Sequence, residues 1–133
     1  MNLISTITRS LYVVDRSLRK EFREDYYKRC MYAAFGTTAL LQDAGFKANI
    51  VDGDFLAFVV ARFEQRAGLQ GFRLGTDQPS HFWVEVDDAI VDVGPHYLPD
   101  HSRFPAASMP FIAWSPVSKL PLYLRYRSIA NER

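Results

Sequence analysis

Residues 80–94 read S-H-F-W-V-E-V-D-D-A-I-V-D-V-G, a stretch that can bring an imidazole and a carboxylate together. Alternating apolar and polar residues predict two short strands around an Asp87-Asp88 turn. A two-residue loop there sets Val86 against Ala89, Val84 against Val91 and Trp83 against Asp92. His81 then shares a strand face with Trp83 and lies diagonal to Asp92. Diagonal neighbours are roughly 7–8 Å apart at the backbone, within reach of these two side chains. Moving the turn to Asp88-Ala89 keeps the parity, whereas a three-residue turn sends Asp92 to the other face.

A His–Asp pair serves catalysis when a nucleophile joins it. The single cysteine, Cys30, precedes His81 by 51 residues, and His81 precedes Asp92 by 11. A cysteine nucleophile needs a base, an orienter for that base and an electropositive setting. Near a helix start, the dipole and unbonded backbone amides favour an anion and can hold an oxyanion. Lys28 and Arg29 add positive charge beside Cys30. Taken singly, each residue has a plainer use. A lone cysteine is commonly an inert small hydrophobe, and a histidine opening a strand is commonly a core or surface residue. An aspartate ending a strand commonly caps a turn.

The elements that must position these residues come in order along the chain. Ile4, Ile7, Leu11, Val14 and Leu18 recur every three or four positions and predict an amphipathic helix. A charged, tyrosine-rich segment, F-R-E-D-Y-Y-K-R, follows from Phe22 without glycine or proline. A second helix runs from near Arg29 to Ala44, with Gly45 as its C-cap glycine. Cys30, Ala34, Thr37 and Leu41 fall on one face of it, and Ala33, Ala34 and Gly36 allow close approach to a sheet. Where it begins decides what Cys30 can do. With Asp25 as N-cap, Cys30 lies a full turn inside and loses the dipole's help. Phe46 to Val51 reads as a strand, Asp52-Gly53 as a turn, and Phe55 to Phe63 as the next strand. Glu64 to Pro79 reads as a glycine-rich loop with a short strand around Phe72. Beyond Gly94 the prolines predict edge strands near Phe111–Trp114 and Leu122–Tyr126, but no regular helix. Helices followed by antiparallel strands predict an α+β fold.

The totals narrow the field. A chain of 133 residues with 48% apolar and 23% charged residues suits one globular domain, 1–133. Sixteen basic against fifteen acidic residues give a net charge of +1, which points to neither nucleic acid nor a membrane as partner. The longest apolar run, Phe55 to Ala61, is too short to span a bilayer. The first residues lack the basic head, apolar block and cleavage site of a signal peptide, and one cysteine suits a reducing, cytoplasmic setting.

The block C…L-L-Q-D-A-G-F-K-A-N-I-V-D-G-D-F, followed by H-F-W-V-E-V-D-D-A-I-V-D-V-G, resembles the core of the transglutaminase-like superfamily of papain-like cysteine enzymes. The match runs in the family's order from Cys30 to Pro95, and its most specific part is H-x-W-V-E-V. The resemblance implies N-terminal helices packed on an antiparallel sheet in a papain-like core. It implies Cys30 as nucleophile, His81 as general base and then acid, and Asp92 as the group fixing the imidazole tautomer. Trp83 would pack beside them and exclude water at the substrate-binding side. The implied reaction is attack on a peptide, isopeptide or glutamine amide to give a thioester, resolved by water or an amine, with no cofactor. Peptidase, deamidase and transglutaminase chemistry all fit, on a peptide, protein or small amide.

Three other readings stay beside it. Arylamine N-acetyltransferases share a Cys–His–Asp core, and V-D-V-G is similar to their final strand, but their arginine-glycine-glycine lead-in to the cysteine is missing here. A zinc site could draw on Cys30, His81, His96 and His101 with Asp92 or Asp100, yet no pair has a metal-motif spacing. A non-catalytic peptide-binding module could use Phe104, Phe111, Trp114, Tyr123 and Tyr126 as an aromatic surface.

Overall fold

The computed structural model describes residues 3–26, 29–72, 81–86, 89–102, 104, 106–107, 112–114, 120 and 123–128; side chains at 71–72, 100–101 and 112–114 are outside that description. The predicted first helix, α1, spans Leu3–Glu21. Ile7, Leu11, Val14 and Leu18 are buried as the periodicity requires, whereas Ile4, in the helix's first turn, is 50% exposed. Each of these four buried side chains contributes about 1.5–3 kcal/mol relative to exposure.

Helix α2 spans Cys30–Asp43 and ends at Gly45, whose φ of +94° is the left-handed conformation that glycine adopts without a Cβ penalty. A Cβ on Gly36 would lie 3.3 Å from Val14 Cγ2, so this glycine serves the α1–α2 contact rather than a helix–sheet contact. Ala33, Ala34 and Leu41 instead join Ala48, Val84, Val86, Ala89 and Val91 in one core that also takes in α1.

The sheet is antiparallel and built on one long strand, β1, Ala48–Val60. Its neighbours are β2 (Ala67–Phe72), β3 (His81–Val86), β4 (Ala89–Asp92), β5 (Ile112–Trp114) and β6 (Leu124–Ser128). The order is β2-β1-β3-β4-β5, and β6 also pairs with β1. The predicted turn at Asp52-Gly53 is therefore absent. Residues 48–53 pair with β3, and residues 53–60 pair with β6 and β2, so ladder hydrogen bonds on both sides override a local turn preference. Gly53 is there for a different reason. A Cβ would strike the Arg127 carbonyl oxygen and come within 2.6 Å of Trp83 Cη2, so only glycine lets β6 and the tryptophan approach this closely. The chain reverses later, where the Ala61 amide donates to the Arg66 carbonyl at 2.8 Å.

The second core lies on the other side of the same strands and comprises Phe55, Ala57, Val59, Trp83, Ile90, Leu98, Phe104 and Leu124. Side chains alternate along a strand, so Val84 and Val86 face the helices while His81 and Trp83 face this second cluster.

A third helix, α3, spans Gly94–His101, where the prolines predicted no regular helix. Pro95 sits in its first turn, where a missing N–H costs nothing, and Pro99 lies inside near the end. Tertiary contacts hold it. The buried Tyr97 hydroxyl donates to Asp15 Oδ1 on α1 at 2.6 Å, and Arg19 Nε donates to the same oxygen at 2.8 Å. Burial first, and the Asp15 hydrogen bond second, push the Tyr97 phenol well above its usual range. Among the described residues, no helix is long and apolar enough to cross a membrane.

Candidate active site

The β3–β4 register is the one the alternation demanded: Val86 pairs with Ala89, Glu85 with Ile90 and Val84 with Val91. Residues 87 and 88 themselves lie outside the described residues. His81 opens β3 and Asp92 closes β4, diagonal to one another, and His81 Nε2 lies 2.7 Å from Asp92 Oδ2. His81 is 0% and Asp92 3% exposed. The imidazole packs against the Phe55 ring, 5.1 Å away by centroid, and the Trp83 ring, 6.1 Å away at an interplanar angle of 26°. Trp83 is 1% exposed, and its indole N–H donates to Glu85 Oε2 at 3.0 Å. It is a wall of the pair rather than an open surface.

Asp92 is held by three donors. Besides His81, the Tyr126 hydroxyl donates to Oδ2 at 2.8 Å and the Gly94 amide to Oδ1 at 2.9 Å. Charged, multiply bonded carboxylates of this kind tolerate burial because both oxygens have donors. Gly94 is required at its position, since a Cβ there would fall 2.5 Å from His81 Nε2 and 2.8 Å from Asp92 Oδ2.

Cys30 stands at the first position of α2, half-buried. Asp25 does not cap the helix; its carboxylate takes the Arg29 guanidinium at 2.9 Å, and that guanidinium also lies 4.1 Å over the Phe22 ring. Arg29 is the N-cap, without a side-chain capping bond. The first intrahelical bond runs from the Ala33 amide to the Arg29 carbonyl at 2.9 Å. The amides of Cys30, Met31 and Tyr32 therefore have no carbonyl within the helix to bond, and an anion beside Cys30 would meet them.

The thiol interacts with His81. Burial opposes a charge on this imidazole most strongly, but the Asp92 carboxylate and its hydrogen bond outweigh it, and the Cys30 thiol pulls the same way. The result is a pKa raised to about 10. With Nε2 taken by Asp92, the ring's other nitrogen, Nδ1, is the one through which a proton can pass to or from sulfur. Cys30 stands at the end of a helix whose Ala33, Ala34 and Leu41 pack with Val84, Val86 and Val91.

The raised value has a consequence for stability. An unfolded histidine titrates near 6.5, so between pH 6.5 and about 10 the folded chain binds the extra proton. The stabilisation is complete below about pH 6.5 and is lost as pH rises towards 10, with a slope of up to about 1.4 kcal/mol per pH unit. Urea unfolding at pH 6.5, 8 and 9.5 should show a falling midpoint that flattens in His81→Gln. A wild-type midpoint independent of pH over this range would exclude the buried ion pair.

The remaining candidates are dispersed. His96 accepts from Arg19 Nη2 at 3.3 Å on the α1–α3 side, and the side chains of Asp100 and His101 lie outside the described residues. Among the described residues no group of three or more His, Cys, Asp or Glu side chains is arranged to hold a metal ion. Of the aromatic surface, the described members do not share one exposed face: Phe104 is 6% exposed in the second core and Tyr126 turns to Asp92, while Tyr123 is exposed. The side chains of Phe111 and Trp114 lie outside the described residues. Sequence reasoning missed Tyr126 and Gly94 as parts of the site. The only local signal was the glycine two positions after Asp92; nothing near Tyr126 marks it. No family model matches the chain, and neither a curated protein nor a solved structure matches it.

Proposed function

We propose that this chain is a thiol-dependent hydrolase or acyl transferase that acts on an amide through a Cys30–His81–Asp92 triad. One observation carries the reading: a cysteine at the first position of a helix interacts with a buried imidazole whose other nitrogen is held by a carboxylate at 2.7 Å. The three side chains come from separate elements, and inert residues have no need of this order. The resemblance of residues 30–95 to the transglutaminase-like superfamily supports the same assignment and suggests a papain-like arrangement of the core.

With the imidazolium beside it, the Cys30 sulfur attacks the carbonyl carbon as thiolate and a C–S bond forms. The oxyanion is met by first-turn amides of α2. The C–N bond then breaks, and the leaving amine takes the proton from His81 Nδ1. Water, or an acceptor amine, attacks the thioester and gives its proton to the now neutral imidazole. The acyl group leaves as acid or new amide, and the thiolate–imidazolium pair is restored. Asp92 holds the ring's tautomer and orientation throughout.

An activated acyl donor, p-nitrophenyl acetate, tests this directly. Wild type should release a burst of p-nitrophenolate stoichiometric with protein, and mass spectrometry should find the acetyl group on Cys30. Cys30→Ser should abolish the burst, and His81→Ala should slow it by roughly 10²-fold or more. A wild-type protein that forms no adduct, or forms it as fast without His81, would overturn the assignment.

A non-catalytic interaction module is the second reading. It is favoured by exposed apolar side chains on α2 (Met31, Tyr32, Phe35) and on the β1–β2 pair (Phe58, Val60, Leu69). Under it, Cys30→Ser leaves the biological role intact.

A further inference from the structure

We infer that Tyr126 is a positioning residue of the Cys30–His81–Asp92 site, acting through Asp92 by sharing the carboxylate oxygen that holds His81. Its catalytic meaning rests on the thiol-enzyme reading above; its effect on the His81–Asp92 pair does not.

The geometry begins with β6. This strand pairs with β1 over Gly53–Ala57, immediately beyond the stretch of β1 that pairs with β3, and sets Tyr126 opposite Phe55. The phenol ring is fixed by Phe55 at 4.9 Å and by Trp83, edge-on, at 5.0 Å. Its hydroxyl ends 2.8 Å from Asp92 Oδ2, the same oxygen that lies 2.7 Å from His81 Nε2. An ionised carboxylate only accepts, so the phenol donates. Two donors on one oxygen divide its charge, and each weakens the other's bond. Tyr126 thus holds Asp92 in place and moderates the grip of Asp92 on the imidazolium proton.

That moderation matters because His81 must release the proton to a leaving amine. Among the described residues, these groups face the ring. Asp92 faces it from β4 and Cys30 from α2. Phe55 on β1 and Trp83 on β3 present neutral rings, and Glu85 reaches this set only through the Trp83 indole. The Gly94 amide takes the far oxygen, Oδ1. On the Tyr126 side, the neighbouring Tyr123 adds only a minor influence. Burial and the adjacent carboxylate push the Tyr126 phenol well above its usual range, so it keeps its proton while His81 titrates.

Histidine NMR, following the His81 ring signals with pH, reads this directly. Tyr126→Phe keeps the ring and removes the donor, so Asp92 should grip the imidazolium more tightly and the His81 midpoint should rise by about 0.5–1 pH unit. Site-specific 3-fluorotyrosine at position 126 is a stronger donor and should lower it. This second variant decides the matter if Tyr126→Phe does not fold. An unchanged midpoint, or shifts of the same sign in both variants, would overturn the role. Failure of the thiol-enzyme reading appears separately, as a missing Cys30 adduct, and leaves this titration interpretable.

Discussion

Cys30 should react with iodoacetamide at pH 6 nearly as fast as at pH 8, and His81→Ala should remove that acid reactivity. A free cysteine titrates near 8.5, so its alkylation slows about tenfold for every pH unit below that value. In this chain the imidazolium persists to about pH 10. It therefore carries a full positive charge against Cys30 across the whole range in which an ordinary thiol stays protonated. The first-turn amides of α2 reinforce it. The wild-type rate should vary by less than about threefold between pH 6 and 8, whereas His81→Ala should lose about 10²-fold over the same interval. The comparison needs no substrate, which suits a site whose substrate is unidentified. A wild-type profile with the slope of a free thiol would sink the catalytic reading. Equal flatness in His81→Ala would assign the activation to the helix alone.

Gly94→Ala should destabilise the fold and disturb the His81–Asp92 pair together. The added methyl would lie 2.5 Å from His81 Nε2, 2.6 Å from His81 Cε1 and 2.8 Å from Asp92 Oδ2. None of these atoms can retreat cheaply. His81 is enclosed by Phe55 and Trp83, and Asp92 is tied to Tyr126 and to the Gly94 amide itself. Overpacking of this kind costs about 1–3 kcal/mol, and here the displacement falls on the ion pair. The expected outcome is a urea midpoint lowered accordingly, together with loss of the acid reactivity of Cys30 under conditions where the variant is still folded. Gly68→Ala is the matched control: nothing lies within 4 Å of a Cβ there, so it should change neither quantity appreciably. A Gly94→Ala protein as stable and as reactive as wild type would mean that the pair is looser than 2.7 Å contact implies.

Much of the site was legible before any coordinates. Strand alternation has a period of two, so once the β3–β4 loop has an even length, His81 and Asp92 must share a face. The observed register obeys that parity. The threefold and fourfold spacing of Ile7, Leu11, Val14 and Leu18 determines α1, and Gly45 determines where α2 stops, because both follow from local backbone geometry. The start of α2 was open between two residues. An ion pair and a ring stack across the Phe22–Arg29 segment decided it, and they placed Cys30 at the helix end.

What needed tertiary structure depends on contacts between distant segments. Asp52-Gly53 has the chemistry of a turn, but pairing with β3 and β6 carries β1 through it as one continuous strand. The prolines after Asp92 oppose a helix locally, yet a buried bond between Tyr97 and Asp15, 82 residues apart, anchors α3. Tyr126 stands 34 residues from Asp92 with no marking motif, and only the pairing of β6 with β1 brings its hydroxyl to that carboxylate. The chain by itself determined that a histidine and an aspartate share a face and that one cysteine follows a basic pair. Only the folded arrangement brought His81 and Asp92 into 2.7 Å contact and set Cys30 at the end of a helix where its thiol acts on the same ring, because that depends on long-range pairing that no local periodicity encodes.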